Sequence, residues 1–153
     1  MIIGPKELLR LVKKIKLVEN LSERELTNPE GAGFDVRIGE IFKLKKEKLA
    51  AFLGINDRRT PDIKLVVKYS DKKKSSYTLE SGEYVLMSTL EKVNLPEDVC
   101  AHTFARSTLF RCGIQLLHTQ IAPGYSGILT FGLKNLSTIP VKIEMGSRVA
   151  HVQ

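Results

Sequence analysis

The sequence contains no tryptophan, two cysteines, three histidines and no long apolar run. Two thiols are too few for a disulfide framework or an all-cysteine zinc site, so we expect Cys100 and Cys112 to be buried, reduced core residues. The histidines, at positions 102, 118 and 151, lack the spacing of a zinc enzyme. No stretch approaches the roughly 18 apolar residues of a membrane span, and the first residues do not have a signal-peptide pattern. These absences predict a cytoplasmic protein that does not contact membranes.

The 153 residues are enough for one domain spanning 1–153, and the 42% hydrophobic content is enough for a core. The net charge is +7, with lysine runs at 43–48 and 72–74. Nucleic-acid-binding surfaces usually combine basic and aromatic residues, but these runs contain almost no aromatics. We therefore expect no nucleic-acid partner. Attraction of a polyphosphate and a solvated lysine-rich surface both remain open.

Hydrophobic periodicity predicts one helix followed by strands. Leu8, Leu11, Val12 and Ile15 lie on one face of a helix over residues 5–15, and Pro5 suits its first turn. Residues 47–53 are predicted to form a short helical turn and 70–76 a polar turn. Alternation predicts strands at 34–44, 63–69, 84–90, 99–105, 129–133, 141–145 and 149–152. Seven or eight short strands, with turns about every 8–12 residues, indicate an all-β sandwich or barrel.

The stretch from 104 to 127 has the residues best suited to binding an anion. Arg106 and Arg111 offer guanidinium groups, and Ser107 and Thr108 offer hydroxyls at the start of a helical turn. A surface turn that happens to contain two arginines is the alternative interpretation. Further along, Pro123-Gly124 predicts a turn, and Tyr125 after it is either a packing residue or a flat platform for a sugar or base.

Four segments, in this order, resemble the motifs of the superfamily of dUTP nucleotidohydrolases (dUTPases) and dCTP deaminases. They are Ala-Gly-Phe-Asp-Val-Arg-Ile-Gly at 32–39, Ala-Arg-Ser-Thr-Leu through Gly at 105–113, Ile-Ala-Pro-Gly-Tyr-Ser-Gly at 121–127, and Gly-Ser-Arg-Val-Ala-His at 146–151. The segment 90–98 is also typical of this superfamily. The resemblance covers most of the chain.

The resemblance implies a distorted β-barrel or jelly roll with a short N-terminal helix, assembled as a homotrimer with active sites between subunits. It implies a deoxynucleoside triphosphate substrate, dUTP or dCTP. The resemblance implies that the second motif binds the phosphates. The hairpin of the third motif would recognise the pyrimidine, and the tyrosine of that motif would stack on the deoxyribose. The fourth motif would add a contact from His151, at a position where dUTPases usually have Gln. These residues are Arg106, Ser107, Thr108, Arg111, Gln120, Ile121, Tyr125 and His151.

The resemblance also implies Mg²⁺ as a cofactor that neutralises the triphosphate. Asp35 is similar to a first-motif aspartate that dUTPases place near the metal–phosphate site. A structural hydrogen bond within a turn or strand is an equally open role for Asp35.

One residue and the length of one hairpin distinguish the branches of the superfamily. The deaminases use a glutamate that falls on Gly132, and glycine cannot transfer a proton. Only nine residues separate Gly113 from Pro123, a short hairpin that resembles the dUTPases. The leading prediction is therefore hydrolysis of dUTP to dUMP and diphosphate. The alternatives are a dCTP deaminase, a bifunctional dCTP deaminase/dUTPase, and a catalytically inactive nucleotide-binding relative.

The dUTPase prediction has its own difficulty, because the general-base aspartate of that branch falls on Ala122. Loss of a general base typically lowers the rate on the order of 10²–10⁴-fold. Three explanations are open: an engineered inactivating change, a different base such as His118, or a naturally inactive relative.

Overall fold

The computed structural model describes residues 2–46 and 51–153. This part of the chain has three helices: α1 (Pro5–Ile15), α2 (Glu23–Thr27) and α3 (Ser107–Arg111). None of the three has the length and apolar character needed to cross a bilayer. The strands are β1 (Val18–Glu19), β2 (Phe34–Leu44), β3 (Phe52–Leu53), β4 (Arg58–Arg59), β5 (Ile63–Lys68), β6 (Ser76–Leu79), β7 (Tyr84–Asn94), β8 (Thr103–Ala105), β9 (Ile114–Leu117), β10 (Ser126–Asn135), β11 (Val141–Glu144) and β12 (Arg148–Val152).

Eight of these strands form one sheet with the order β8-β12-β2-β7-β10-β9, to which β5 is joined through β2 and β1 through β7. All of its pairings are antiparallel. The two ends of the path, β8 and β9, contact each other, so the sheet curls into a nearly closed barrel. β6 pairs with β11, and β3 with β4, in two small separate sheets. The predicted mainly β barrel with a short N-terminal helix is confirmed.

The long strands β2 and β7 form the middle of the barrel. Ile38 and Ile41 on β2, and Val85 and Met87 on β7, are completely buried. β2 pairs with β12 at its start and with β7 and β5 further on, and its register shifts after Ile38 and again after Ile41. Such shifts bend a strand and increase its twist. These shifts allow β2 to pair with three strands along its length, β12, β7 and β5.

Several predicted elements differ from the structure. α1 and β2 have the predicted bounds, whereas β7 extends four residues beyond Leu90, to Asn94. Within the predicted strand at 99–105, only Thr103–Ala105 is a strand, preceded by an isolated bridge at Ala101. Of the helical turn predicted at 47–53, residues 47–50 lie outside the described part, and Phe52–Leu53 is a strand. The prediction of buried cysteines is wrong, because both thiol-bearing residues are exposed.

Gly33 allows the C-terminal strand to lie against the start of β2. A Cβ at this position would lie 2.1 Å from the carbonyl oxygen of Val152 and 2.6 Å from Nε2 of His151. The first of these atoms is backbone and cannot rotate away. Only glycine therefore fits here, and the close approach places His151 opposite Asp35 in the β2–β12 ladder.

Candidate functional site

An open cleft of about 480 Å³ lies beside the starts of α2 and α3 and the turn that leads into β12. Nearly all of its lining side chains can donate hydrogen bonds to an anion, since they are arginines or carry hydroxyl groups. The lining residues are Ser22, Arg24, Arg37, Arg106, Thr108, Gly146, Ser147 and Arg148. Guanidinium groups present a fork of donors that matches the oxygens of phosphate or carboxylate.

Asp35 is the buried counter-charge of this cleft, with 1% of its surface exposed. Its Oδ2 forms ion pairs with Nη1 of Arg106 and, at 3.0 Å, with Nη1 of Arg148. Arg24 approaches the same oxygen at 3.9 Å. A buried carboxylate of this kind holds the arginines in place, because its charge is stable in the interior only when it is paired.

Glu25 is a second buried carboxylate behind the cleft, and it is fully inaccessible to solvent. Ser22 caps α2 by accepting a hydrogen bond from the Glu25 N–H, as the Ser-x-x-Glu spacing of a capping box predicts. The Glu25 side chain bonds to the rest of the site instead of the cap: Oε2 accepts from the Asp35 N–H at 3.0 Å, and Oε1 accepts from Arg24 at 2.7 Å. The carboxylate of Glu25 therefore links α2 to β2.

Arg37 is held at the cleft by Glu91, which is completely buried on β7. The Arg37 N–H donates to Glu91 Oε2 at 2.7 Å, and Arg37 Nε donates to Oε1 at 2.6 Å. Burial raises the pKa of the Glu91 carboxyl, although the hydrogen bonds from Arg37 act in the opposite direction. Every arginine of the cleft is thus ion-paired with a carboxylate of β2, β7 or the α2 segment.

His151 completes the network around Asp35. Its Nδ1 lies 3.0 Å from Asp35 Oδ1, and because a carboxylate oxygen can only accept, Nδ1 carries the hydrogen. Burial lowers the pKa of His151; Glu25 and Glu30 oppose this shift, and Arg106 contributes to it. The imidazole therefore remains neutral in the folded chain near neutral pH.

The structure brings together some of the predicted site residues. Arg106 and Thr108 line the cleft, with the exposed Ser107 between them, while Asp35 and His151 lie directly behind it. Arg111, at the end of α3, is exposed and does not line the cleft.

The remaining predicted residues lie on the loop at 118–125, and none of them lines the cleft of the described chain. Ile121 is buried and forms a bridge with Ala101. His118, Gln120 and Ala122 are exposed, as is Tyr125. The Tyr125 hydroxyl donates to the Ile128 carbonyl at 2.8 Å, so the phenol is bonded to its own hairpin.

The arrangement does not fit Asp35 as a direct magnesium ligand. One of its oxygens is paired with two arginines and the other with His151. In the part of the chain that is described, no group of three or more His, Cys, Asp or Glu side chains could hold a metal ion. Asp35 instead pairs with Arg106, Arg148 and His151, contacts that the sequence analysis did not predict. The expectation of Mg²⁺ stays a prediction.

Gly132 is buried on β10, where it pairs with Leu86 and Leu117. A Cβ there would lie 2.7 Å from the hydroxyl of Tyr84 and 2.9 Å from its ring. The tyrosine fills the space that a side chain at 132 would need. A glutamate at this position would require Tyr84, which is 36% exposed, to swing outward.

The sequence analysis did not mention Glu25, and it did not identify six of the residues that line the cleft: Ser22, Arg24, Arg37, Gly146, Ser147 and Arg148. Two signals were available. Arg148 lies within the fourth motif segment, and the spacing of Ser22 and Glu25 matches a capping box. Neither signal could show that a short helix would place its side chains against β2.

Comparison with known proteins identifies relatives of the whole chain. A family model described as dCTP deaminase-like matches residues 2–153. A protein of Kocuria rhizophila named "dCTP deaminase, dUMP-forming" is 30% identical over 155 residues, covering 99% of this chain and 78% of the relative. A protein of the same name from Dictyoglomus turgidum is 28% identical over 99% of this chain and 78% of its own length.

Among solved structures, the 2′-deoxycytidine 5′-triphosphate deaminase of Agrobacterium tumefaciens superposes with a TM-score of 0.70 at 18% identity. The match covers 98% of this chain and 46% of that one, so this chain spans about half of the solved protein. At this level of identity the similarity supports the barrel fold.

These relatives overturn the prediction that the chain is primarily a dUTP nucleotidohydrolase. Curated relatives at 27–33% identity are named dCTP deaminases. The prediction was wrong because it relied on the length of one hairpin and on the residue at 132, whereas the relationship extends over the whole barrel.

Proposed function

Because the chain belongs to the dCTP deaminase-like family, we propose that it binds dCTP and catalyses hydrolytic deamination of the cytosine ring. In this reaction water adds to C4 of the base, a proton passes to the amino group, and ammonia leaves as the ring becomes uracil. The relationship to dCTP deaminases over 99% of the chain carries this proposal.

The arginine cleft supports the proposal by offering a site for the triphosphate. Arg106 and Arg148 can each present two N–H groups to phosphate oxygens, and Ser107, Thr108 and Ser147 can add hydroxyl donors. Asp35 behind the cleft fixes the two arginines before a ligand arrives, which reduces the entropy lost on binding. Magnesium enters this proposal only as the ion carried by the triphosphate.

We further propose that the base is read by the loop at 118–125 of a neighbouring subunit in a homotrimer. This arrangement accounts for a cleft that contains phosphate donors but no part of the predicted base-binding loop. Ala122 and Tyr125 are both exposed on that loop. They are therefore available to a pyrimidine and its sugar.

A second candidate function, nucleotide binding without turnover, is favoured by two positions. Ala122 and Gly132 occupy the places where the two branches of the superfamily have catalytic carboxylates, and Tyr84 fills the space beside Gly132. The two candidates share a ligand and differ in whether ammonia is released.

Ammonia release and calorimetric binding, measured on the same preparation with dCTP, dUTP and dTTP, test both candidates. Ammonia from dCTP supports the deaminase, and chromatography identifies the nucleotide product. Binding of dCTP without ammonia supports the second candidate. No binding of dCTP at millimolar concentration contradicts both.

The variant Thr108→Ala tests whether the cleft holds the triphosphate. Thr108 is exposed, and its hydroxyl takes part in no hydrogen bond identified in the described chain, so the change removes one donor without disturbing the Asp35 network. Loss of a hydrogen bond to a charged group is worth about 1.5 kcal/mol or more, so dCTP affinity should fall roughly tenfold. Thr138→Ala, a matched change at an exposed position outside the cleft, should leave the affinity unchanged.

A further inference from the structure

We propose that Glu30 is an internal competitor of the phosphate ligand, a carboxylate that bridges two cleft arginines in the free protein and must leave them when a triphosphate binds. This inference rests on the proposed function of the cleft. Glu30 Oε1 is paired with Nη2 of Arg24, and Oε2 lies 3.4 Å from Nη1 of Arg106. A carboxylate that spans two guanidinium groups occupies the donors that a phosphate would use.

Exposure distinguishes Glu30 from the other carboxylates of the site. Asp35, Glu25 and Glu91 are buried, and moving any of them would leave an arginine and a carboxylate unpaired in the interior. The Glu30 side chain is 53% exposed and lies on the segment that connects α2 to β2. An exposed ion pair contributes only about 0–1 kcal/mol, so Glu30 can turn into solvent at little cost.

The local charge balance shows why this displacement affects affinity. Arg24, Arg37, Arg106 and Arg148 face the carboxylates of Glu25, Glu30, Asp35 and Glu91. With Glu30 in place these formal charges cancel, and with Glu30 displaced the cleft gains one positive charge. The hydrogen bond from Arg24 lowers the pKa of Glu30, so the competing side chain is ionised at neutral pH.

If Glu30 competes with the ligand, removing its charge should raise the affinity for phosphate, which a purely structural role does not predict. The variant Glu30→Gln keeps the shape of the side chain and removes its charge, so Arg24 and Arg106 become available to the ligand. We expect the affinity for inorganic tripolyphosphate, measured by titration calorimetry at low salt, to rise three- to tenfold. Glu30→Ala should have the same effect, because no carboxylate remains in either variant.

Glu23→Gln provides the matched control. Glu23 is exposed on α2 and forms no ion pair in the described part of the chain, so this change alters the net charge equally without freeing a cleft arginine. We expect a change in affinity of less than twofold. An equal gain in Glu23→Gln and Glu30→Gln would show a general charge effect and overturn the proposal, as would an unchanged or weaker affinity in Glu30→Gln.

The choice of ligand separates this proposal from the proposed function. If Glu30→Gln binds tripolyphosphate more tightly but no variant releases ammonia from dCTP, Glu30 is the competitor and the deaminase assignment fails. If dCTP is deaminated while tripolyphosphate affinity is unaffected by Glu30→Gln, the competitor role fails and the deaminase assignment remains. Absence of tripolyphosphate binding in all proteins at millimolar concentration would also reject the competitor role.

Discussion

The arginine cleft and the loop at 118–125 are held together by different kinds of contact. In the cleft, charged side chains from distant parts of the chain are held by buried carboxylates: Arg106 and Arg148 meet at Asp35, which is more than 70 residues from either of them in sequence. In the loop, the contacts are short-range or backbone-mediated, such as the bridge of Ile121 to Ala101 and the bond from the Tyr125 hydroxyl to the Ile128 carbonyl.

This difference indicates where each region is sensitive to change. A charged residue that pairs with a buried carboxylate of the cleft supports both the fold and the candidate site, because removing its charge leaves that carboxylate buried and unpaired. A residue of the loop mostly presents itself to solvent, so changing it should affect ligand binding with little effect on stability.

The variant Asp35→Asn should destabilise the protein most. The amide keeps the size of the side chain but removes the charge that Arg106 and Arg148 require, and breaking a buried ion-pair network costs about 3–5 kcal/mol. Urea denaturation measures the free energy of unfolding. Asp98→Asn, at an exposed position, should change this value by less than about 0.5 kcal/mol. A similar loss of unfolding free energy in the two variants would show that the Asp35 network does not stabilise the fold.

Gly33→Ala tests whether the contact between β2 and β12 is needed to keep the cleft together. The added Cβ would lie 2.1 Å from the Val152 carbonyl oxygen, and because that atom is backbone, the strands must separate. Overpacking of this kind costs about 1–3 kcal/mol, and we expect the upper end. Gly4→Ala is the matched control, since a Cβ at position 4 meets nothing within 4 Å. A Gly33→Ala protein as stable as Gly4→Ala would show that the strands do not pack so closely.

The variant His151→Gln tests whether the cleft network depends on pH. The pKa of His151 is below its ordinary value of 6.5 in the folded chain, so its stabilising contribution is present above that pH and is lost as the pH falls through the folded-state pKa. Wild-type stability should therefore decline as the pH falls below about 6.5, the ordinary histidine pKa. The decline should be smaller in His151→Gln than in the wild type. Replacement of the exposed His118 by Gln should preserve the wild-type decline, and an equal decline in His151→Gln would contradict this role.

Much of the barrel could be predicted from period-2 alternation, because the long strands bury one face each. β2 was predicted at its observed bounds for this reason. β6 and β9 were missed, since each has only four residues and two buried side chains, too short for a pattern to stand out from a turn. Exposure of Cys100 and Cys112 was also missed, because a residue's preference for the interior does not determine where a loop places it.

The candidate site was predictable only in part, because motifs identify residues and not their contacts. The segment around Arg106 was recognised as suited to anions from its residue types. The ion pair between Arg106 and Asp35 joins positions 71 residues apart. The helix that supplies Glu25, α2, has only five residues. These contacts depend on the closure of the barrel, which no local pattern encodes.

Of these variants, Tyr125→Phe, in the loop at 118–125, should have the smallest effect on stability. The change removes only the hydroxyl that donates to the Ile128 carbonyl at 2.8 Å, and Tyr125 is 39% exposed. Because water can replace this bond at an exposed position, the free energy of unfolding should fall by less than about 1 kcal/mol. The ring that we propose stacks on the deoxyribose is retained, so dCTP affinity should remain within twofold of the wild type, whereas Tyr125→Ala should weaken it. A Tyr125→Phe protein as unstable as Asp35→Asn would show that the loop is a structural element equal to the cleft, and the contrast between the two regions would fail.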